Sequence, residues 1–154
     1  GWDQLREMSA VGISIQSHTE SHRPLTTLST ERLRHEMEAS KKNIEDHVGY
    51  PVDFLSVPHG MIDLRVREVS REAGYRAVCT SEPGFSHCFG NPAVLRRVNV
   101  PGRCSPRWFK NVIAARSSSL LGQIVIKKLK NAAKGIVGYR NYRRFYELRY
   151  RIRA

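Results

Sequence analysis

Ile13-Ser14-Ile15-Gln16-Ser17-His18-Thr19-Glu20-Ser21-His22 is the stretch on which the reading of this sequence turns. Its first four residues alternate apolar and polar, the period of a short strand. Its last five set His18 and His22 four residues apart. On a helical turn that interval puts two imidazoles on one side, where they can share a zinc ion at about 2.0–2.1 Å per nitrogen. A histidine pair at this interval is more often structural or simply exposed. A catalytic zinc also needs a third protein ligand and an open position for water.

The flanking sequence supplies a context. Upstream, apolar residues at 2, 5, 8 and 11 predict a helix that Gly12 closes. Downstream, Ser29 or Thr30 can cap a helix to about His47, with Glu31 in its first turn and Leu33, Met37, Ile44 and Val48 as its apolar stripe. Phe54-Leu55-Ser56-Val57 reads as a second strand, stopped by Pro58-His59-Gly60. A helix over about 63–73, with Gly74 after it, precedes a third strand at 75–79. Residues 82–92 are a loop, 94–100 a fourth strand, and Ser105-Pro106 opens a helix to about Arg116. This alternation predicts an α/β fold with a parallel sheet, in which ligands gather at the C-terminal ends of the strands. The His18–His22 and Pro58–Gly60 loops both follow predicted strands and should converge on one face.

With 154 residues, 40% hydrophobic and 26% charged, the chain can build a real core and is not disordered as a whole. No run approaches the roughly 18–20 apolar residues of a membrane-spanning helix. Cys79, Cys88 and Cys104 have neither CxxC spacing nor an even count, and read as free thiols. The chain begins within a helical pattern, with no initiator Met and no signal-peptide pattern. The expectation is an N-terminally truncated chain whose targeting segment is not visible.

Several motifs in order give the histidine pair a family context. Ser17-His18-Thr19-Glu20-Ser21-His22-Arg23-Pro24-Leu25 resembles the S-H-T-x-x-H-P-x-L motif of polysaccharide deacetylases (the NodB-homology group, carbohydrate esterase family four), with Arg23 inserted. Phe54-Leu55-Ser56-Val57-Pro58-His59-Gly60 is similar to that family's F-x-x-P-Y-G loop. Glu72-Ala73-Gly74-Tyr75-Arg76-Ala77-Val78 is similar to its A-G-Y-x-x-A-V segment. The resemblance covers roughly residues 1–100. It implies a distorted (β/α) barrel, here partial and missing its first strand or strands, and a metal-dependent hydrolase that removes N-acetyl groups from amino sugars of a bacterial polysaccharide.

On that resemblance, His18 and His22 are metal ligands and the ion is a divalent metal, Zn2+ first. Pro58, His59 and Gly60 line the substrate site, and the His59 backbone N–H helps hold the oxyanion. The departures are as specific. The family's T-F-D-D motif, which supplies a metal-binding Asp and the base, has no counterpart, because no Asp-Asp pair occurs in the chain. Asp3, Asp46, Asp53 and Asp63 are not promoted in its place. Ser56 stands where many members carry arginine, as in the subset associated with exopolysaccharide deacetylation. The late leucine-flanked histidine is not recognisable; Arg97 occupies a comparable strand, and His87 could approach from its loop. His35, His47 and Glu20 read as surface residues. This polypeptide alone is expected to be inactive or nearly so.

Residues 117–154 form a second region, a basic helical tail after the 1–116 deacetylase portion. They hold ten Lys and Arg against Glu147, a net +9 of the chain's +12. Helical spacing recurs at 120–136 and again at 139–153, the latter with Tyr142, Phe145, Tyr146 and Tyr150 among arginines. A solvated face, an anionic membrane surface and, ranked last, nucleic acid remain open as its partner. The partners implied for the rest are an N-acetylated polysaccharide or lipid-linked oligosaccharide. The compartment leans cytoplasmic or peripheral to the bacterial membrane. The alternative from another class is a non-catalytic carbohydrate-binding or peripheral membrane protein that keeps the fold.

Overall fold

Capping residues fix where the helices start and stop, and the sheet then falls between them. In the computed structural model residues 1–86 and 93–138 are described, 133–137 by their backbone alone. The chain divides into two compact units, Gly1–Val98 and Asn99–Ala154.

In the first unit, helix α1 spans Trp2–Ala10 and helix α2 spans Thr30–Val48. Ser29 caps α2 by accepting the Arg32 N–H, and Gly49 ends it in the left-handed region at φ 78°. Helix α3, Leu64–Glu72, starts where the Asp63 carboxylate accepts the Val66 N–H at 2.7 Å. Strands β1 (Phe54–Ser56), β2 (Ala77–Cys79) and β3 (Ala93–Leu95) form a parallel sheet in that order. The parallel sheet and the helix–strand order are those the sequence predicts.

The strands are shorter than the pattern suggested, and one is absent. Residues 13–16 are not a strand: only Ser17 pairs, through an isolated parallel bridge to Leu55. The reason is local. The Phe54 N–H is taken by the Gln16 side-chain oxygen at 2.8 Å, so the backbone ladder cannot extend past Ser17. Strand β3 ends at Leu95, because the Arg97 N–H that would continue the ladder donates to the Glu82 carbonyl at 3.0 Å, while the Arg97 side chain takes the Thr80 carbonyl.

The core lies between the sheet and helices α2 and α3. Leu25, Leu33, Met37, Val52, Leu55, Val57, Val66, Val69, Tyr75 and Val78 form one buried cluster, with Ile44 packed against it. Burying a Leu, Val or Met side chain contributes about 1.5–3 kcal/mol. Tyr75 is the largest member, and its hydroxyl donates to the Met37 carbonyl at 2.9 Å. His47 is half-buried, with its ring stacked on Trp2 at 4.1 Å between centroids.

In the second unit, helix α4 spans Pro106–Ile113, with Ser105 accepting the Trp108 N–H. It stops three residues short of the expected Arg116. Ser117–Leu120 is a 3-10 turn that leads directly into helix α5, Leu121–Val137. The Trp108 indole N–H donates to the Ser119 carbonyl at 2.9 Å. The helix expected over 139–153 lies outside the described residues, as do His87 and Cys88. Cys79 and Cys104 are free and half-buried.

Candidate active site

The site is built on the chain that leaves the sheet at Ser17 and at β1. Ser17 donates its N–H to the Phe54 carbonyl and accepts the Ser56 N–H on its own carbonyl, which fixes the start of the motif against β1. Its buried hydroxyl shares a hydrogen bond of 3.0 Å with Ser40 of α2 and accepts the Thr19 N–H. His18 therefore emerges at the C-terminal end of the sheet, one residue beyond the bridge.

The motif is a loop, as the sequence reading placed it. Thr19 and His22 are in the left-handed region, at φ 67° and 56°. For residues with a Cβ that region costs roughly 1–2 kcal/mol each, so the surroundings must hold the loop in place. The fold nevertheless brings the two imidazoles together, with ring centroids 4.8 Å apart and edge to face. His18 Nδ1 donates to the Ser56 carbonyl at 2.5 Å. That bond sets the tautomer and leaves Nε2 with its lone pair, the usual arrangement behind a metal-binding histidine.

Glu36 is what holds the loop. It lies on α2, is 7% exposed, and accepts the Glu20 N–H at 3.1 Å, the Ser21 N–H at 2.8 Å and the Ser21 hydroxyl. Burial pushes its carboxyl up, but those three donors and the nearby Arg23 outweigh burial and hold it below the usual carboxylate range. Sequence reasoning passed over this residue. The signal was present: a carboxylate at 36 falls inside the 33, 37, 40, 44 stripe, where α2 is buried. Beyond the motif, Arg65 of α3 donates to the Leu28 and Thr26 carbonyls at 2.6 and 3.2 Å.

The second loop meets the first, as the strand-end argument required. Pro58–Gly60 is a 3-10 turn directly after β1, with His59 at φ 58°, ψ 0°. Gly60 has φ +65°, and a Cβ there would lie 1.6 Å from the Ser81 hydroxyl, so this position admits only glycine. The His59 ring stands 5.1 Å from the His22 ring. The sequence treated His59 as a backbone donor; the fold also brings its imidazole to the histidine pair.

The other candidates are accounted for elsewhere. Glu20 is exposed and pairs with His35 at 3.2 Å. Asp63 caps α3, Asp53 and Asp46 pair with Arg76 and Lys42, and Asp3 with Arg6. Arg97 Nε donates to the Thr80 carbonyl at 2.6 Å. Among the described residues no group of three His, Cys, Asp or Glu is placed to hold a metal. The buried Thr19 hydroxyl, beside His18, has no hydrogen-bond partner. The fit to a divalent ion is therefore partial: an oriented His18 and the neighbouring His22 are in place, with no carboxylate beside them among the described residues.

Fold and site together define an α/β protein with a histidine pair where two strand-end loops meet. The polysaccharide deacetylase family model matches residues 1–78, and the chain belongs to that family. YxkH of Bacillus subtilis (strain 168), whose name places it in the same family, is 33% identical over 101 residues, 65% of this chain and 36% of its own. Chitin deacetylase 1 of Cryptococcus neoformans is 39% identical over 75 residues, 49% of this chain and 16% of its own. The chain thus spans about a third or less of these relatives. The Streptococcus pyogenes deacetylase PplD, solved with acetate, superposes with a TM-score of 0.67 at 23% identity, over 74% of this chain and 49% of its own. The fold is accordingly part of the deacetylase (β/α) barrel, with three strands among the described residues.

Proposed function

We propose that this chain carries the histidine ligands and the substrate loop of a metal-dependent polysaccharide N-deacetylase. The observation that supports this most is His18, locked through Nδ1 onto the Ser56 carbonyl and set 4.8 Å from His22. A bound divalent ion, Zn2+ first, would polarise the acetamide carbonyl and lower the pKa of a bound water. His18 and His22 would hold the ion. Pro58, His59 and Gly60 shape the sugar site, and the His59 backbone N–H donates to the oxyanion. The substrate is an N-acetylated polysaccharide or a lipid-linked oligosaccharide, and Ser56 inclines it towards the exopolysaccharide type.

The 154 residues contain no Asp-Asp pair, and general acid–base groups contribute about 10²–10⁴-fold each. The isolated chain should therefore bind the ion weakly and turn over little substrate. The same partial shell favours a second reading, a carbohydrate-binding protein that keeps the fold without catalysis. Zinc titration of the chain, His18→Ala and His22→Ala tests the site; each variant should bind at least about tenfold more weakly. Equal metal content in all three would show that the ligands are wrong. Acetate release from chitin oligomers by the chain alone would overturn its expected inactivity.

A further inference from the structure

The second unit turns its apolar side chains outward. Among its described residues Val112 and Leu120 are buried, whereas Val100, Phe109, Ile113, Leu121, Val125, Ile126 and Leu129 are 43–69% exposed. Four of these belong to α5. At 100° per residue Leu121, Val125, Leu129 and Ile126 share one broad arc of that helix, Lys128 borders it beside Leu121, and Lys127 and Lys130 lie beyond it.

Charge settles what such a face suits. Residues 99–154 hold fourteen Lys and Arg against Glu147, a net +13, while residues 1–98 hold twelve against thirteen acids, a net −1. Helix α5 contains four lysines and no acid. A partner protein would need a hydrophobic groove ringed by acids. A bilayer containing anionic lipid supplies both properties at once, apolar depth and a negative surface. None of the helices in the described residues is long and apolar enough to cross a membrane, so α5 would lie on the surface and not span it.

We propose that α5 is an interfacial helix that seats the second unit on an anionic lipid surface through Leu121, Val125, Ile126 and Leu129, with Lys128 and Lys130 against the headgroups. This is independent of the deacetylase reading. It goes beyond the open options for the basic tail by assigning the contact to particular exposed side chains.

The full chain is co-sedimented with vesicles of phosphatidylcholine alone or with one-third phosphatidylglycerol. Binding to the anionic vesicles should exceed binding to the neutral ones by at least about tenfold and weaken with added salt. Val125→Asp/Leu129→Asp should abolish it. Lys128→Ala/Lys130→Ala should weaken it by about thirtyfold, at roughly 1 kcal/mol per lysine. All four side chains are exposed, and circular dichroism of each variant checks that the fold is kept. Equal binding by the chain and the Asp variant overturns the proposal. So does an absence of binding to anionic vesicles, or a self-association that the Asp variant abolishes. Loss of vesicle binding on adding single-stranded DNA, with the Asp variant still binding that DNA, would assign the lysines to nucleic acid and also overturn it.

Discussion

One carboxylate decides the geometry of the histidine loop. Glu36 holds Glu20 and Ser21, which lie between the left-handed Thr19 and His22, by their backbone N–H groups. Glu36→Ala should cost about 2–3 kcal/mol in urea unfolding, since hydrogen bonds to a charged group contribute about 1.5–3 kcal/mol. It should also weaken zinc binding about 10–100-fold, as loss of a ligand's supporting contacts does. Its folded pKa lies below the unfolded value of about 4.3, so its contribution is present above that pH and lost as the pH falls below it. The stability gap between the chain and Glu36→Gln should therefore hold above about pH 4.3 and narrow as the pH falls below it. A gap that does not change with pH would contradict this account. Tyr75 acts in the opposite direction. Burial pushes its hydroxyl up to about 12, against an ordinary 10. Its contribution is complete below pH 10 and declines from there towards 12, and Tyr75→Phe should remove that part of the alkaline loss.

At the scale of elements, the turn after β1 depends on a single glycine. Gly60→Ala must displace Ser81 and adopt a left-handed φ, and should destabilise the chain by more than about 2 kcal/mol. A change of that kind moves the His59 loop, so zinc or oligosaccharide binding should fall even where the core still melts cooperatively. The helices, by contrast, were legible from their own residues. Ser29, Asp63 and Ser105 cap the predicted starts, and Gly49 closes α2 just past the end expected near His47. The strands were legible only as locations. Ile13–Gln16 alternates like a strand, yet the Gln16 side chain occupies the Phe54 N–H and stops the ladder. Alternation reports which face is buried, and it cannot report whether a partner's N–H is free.

Across the whole molecule, the hydrophobic cluster lies within residues 25–78, and the division after Val98 separates it from the region of net positive charge. A chain ending at Val98 should therefore fold, with a melting temperature within a few degrees of the full chain, because it keeps every member of that cluster. Calorimetry of the two chains checks this, and a non-cooperative melt for the shorter one would contradict it. The sequence placed the charge in 117–154, with a net +9; the compact units sharpen that to +13 against −1.

The sequence by itself determined the helix–strand alternation, the helix caps, the histidine pair with its family, and the concentration of charge towards one end. These are properties of neighbours in the chain, set by backbone preferences and by periodicity. Only the tertiary structure decided the rest. His18 meets the Ser56 carbonyl across 38 residues, Glu36 meets Ser21 across 15, and the His59 ring reaches His22 from another loop. Each of those contacts pairs groups whose chemistry is visible in the sequence but whose distance is not. The orientation of the two histidines depends on such contacts, so the chemistry of the site could be anticipated from its residues while its geometry required the fold.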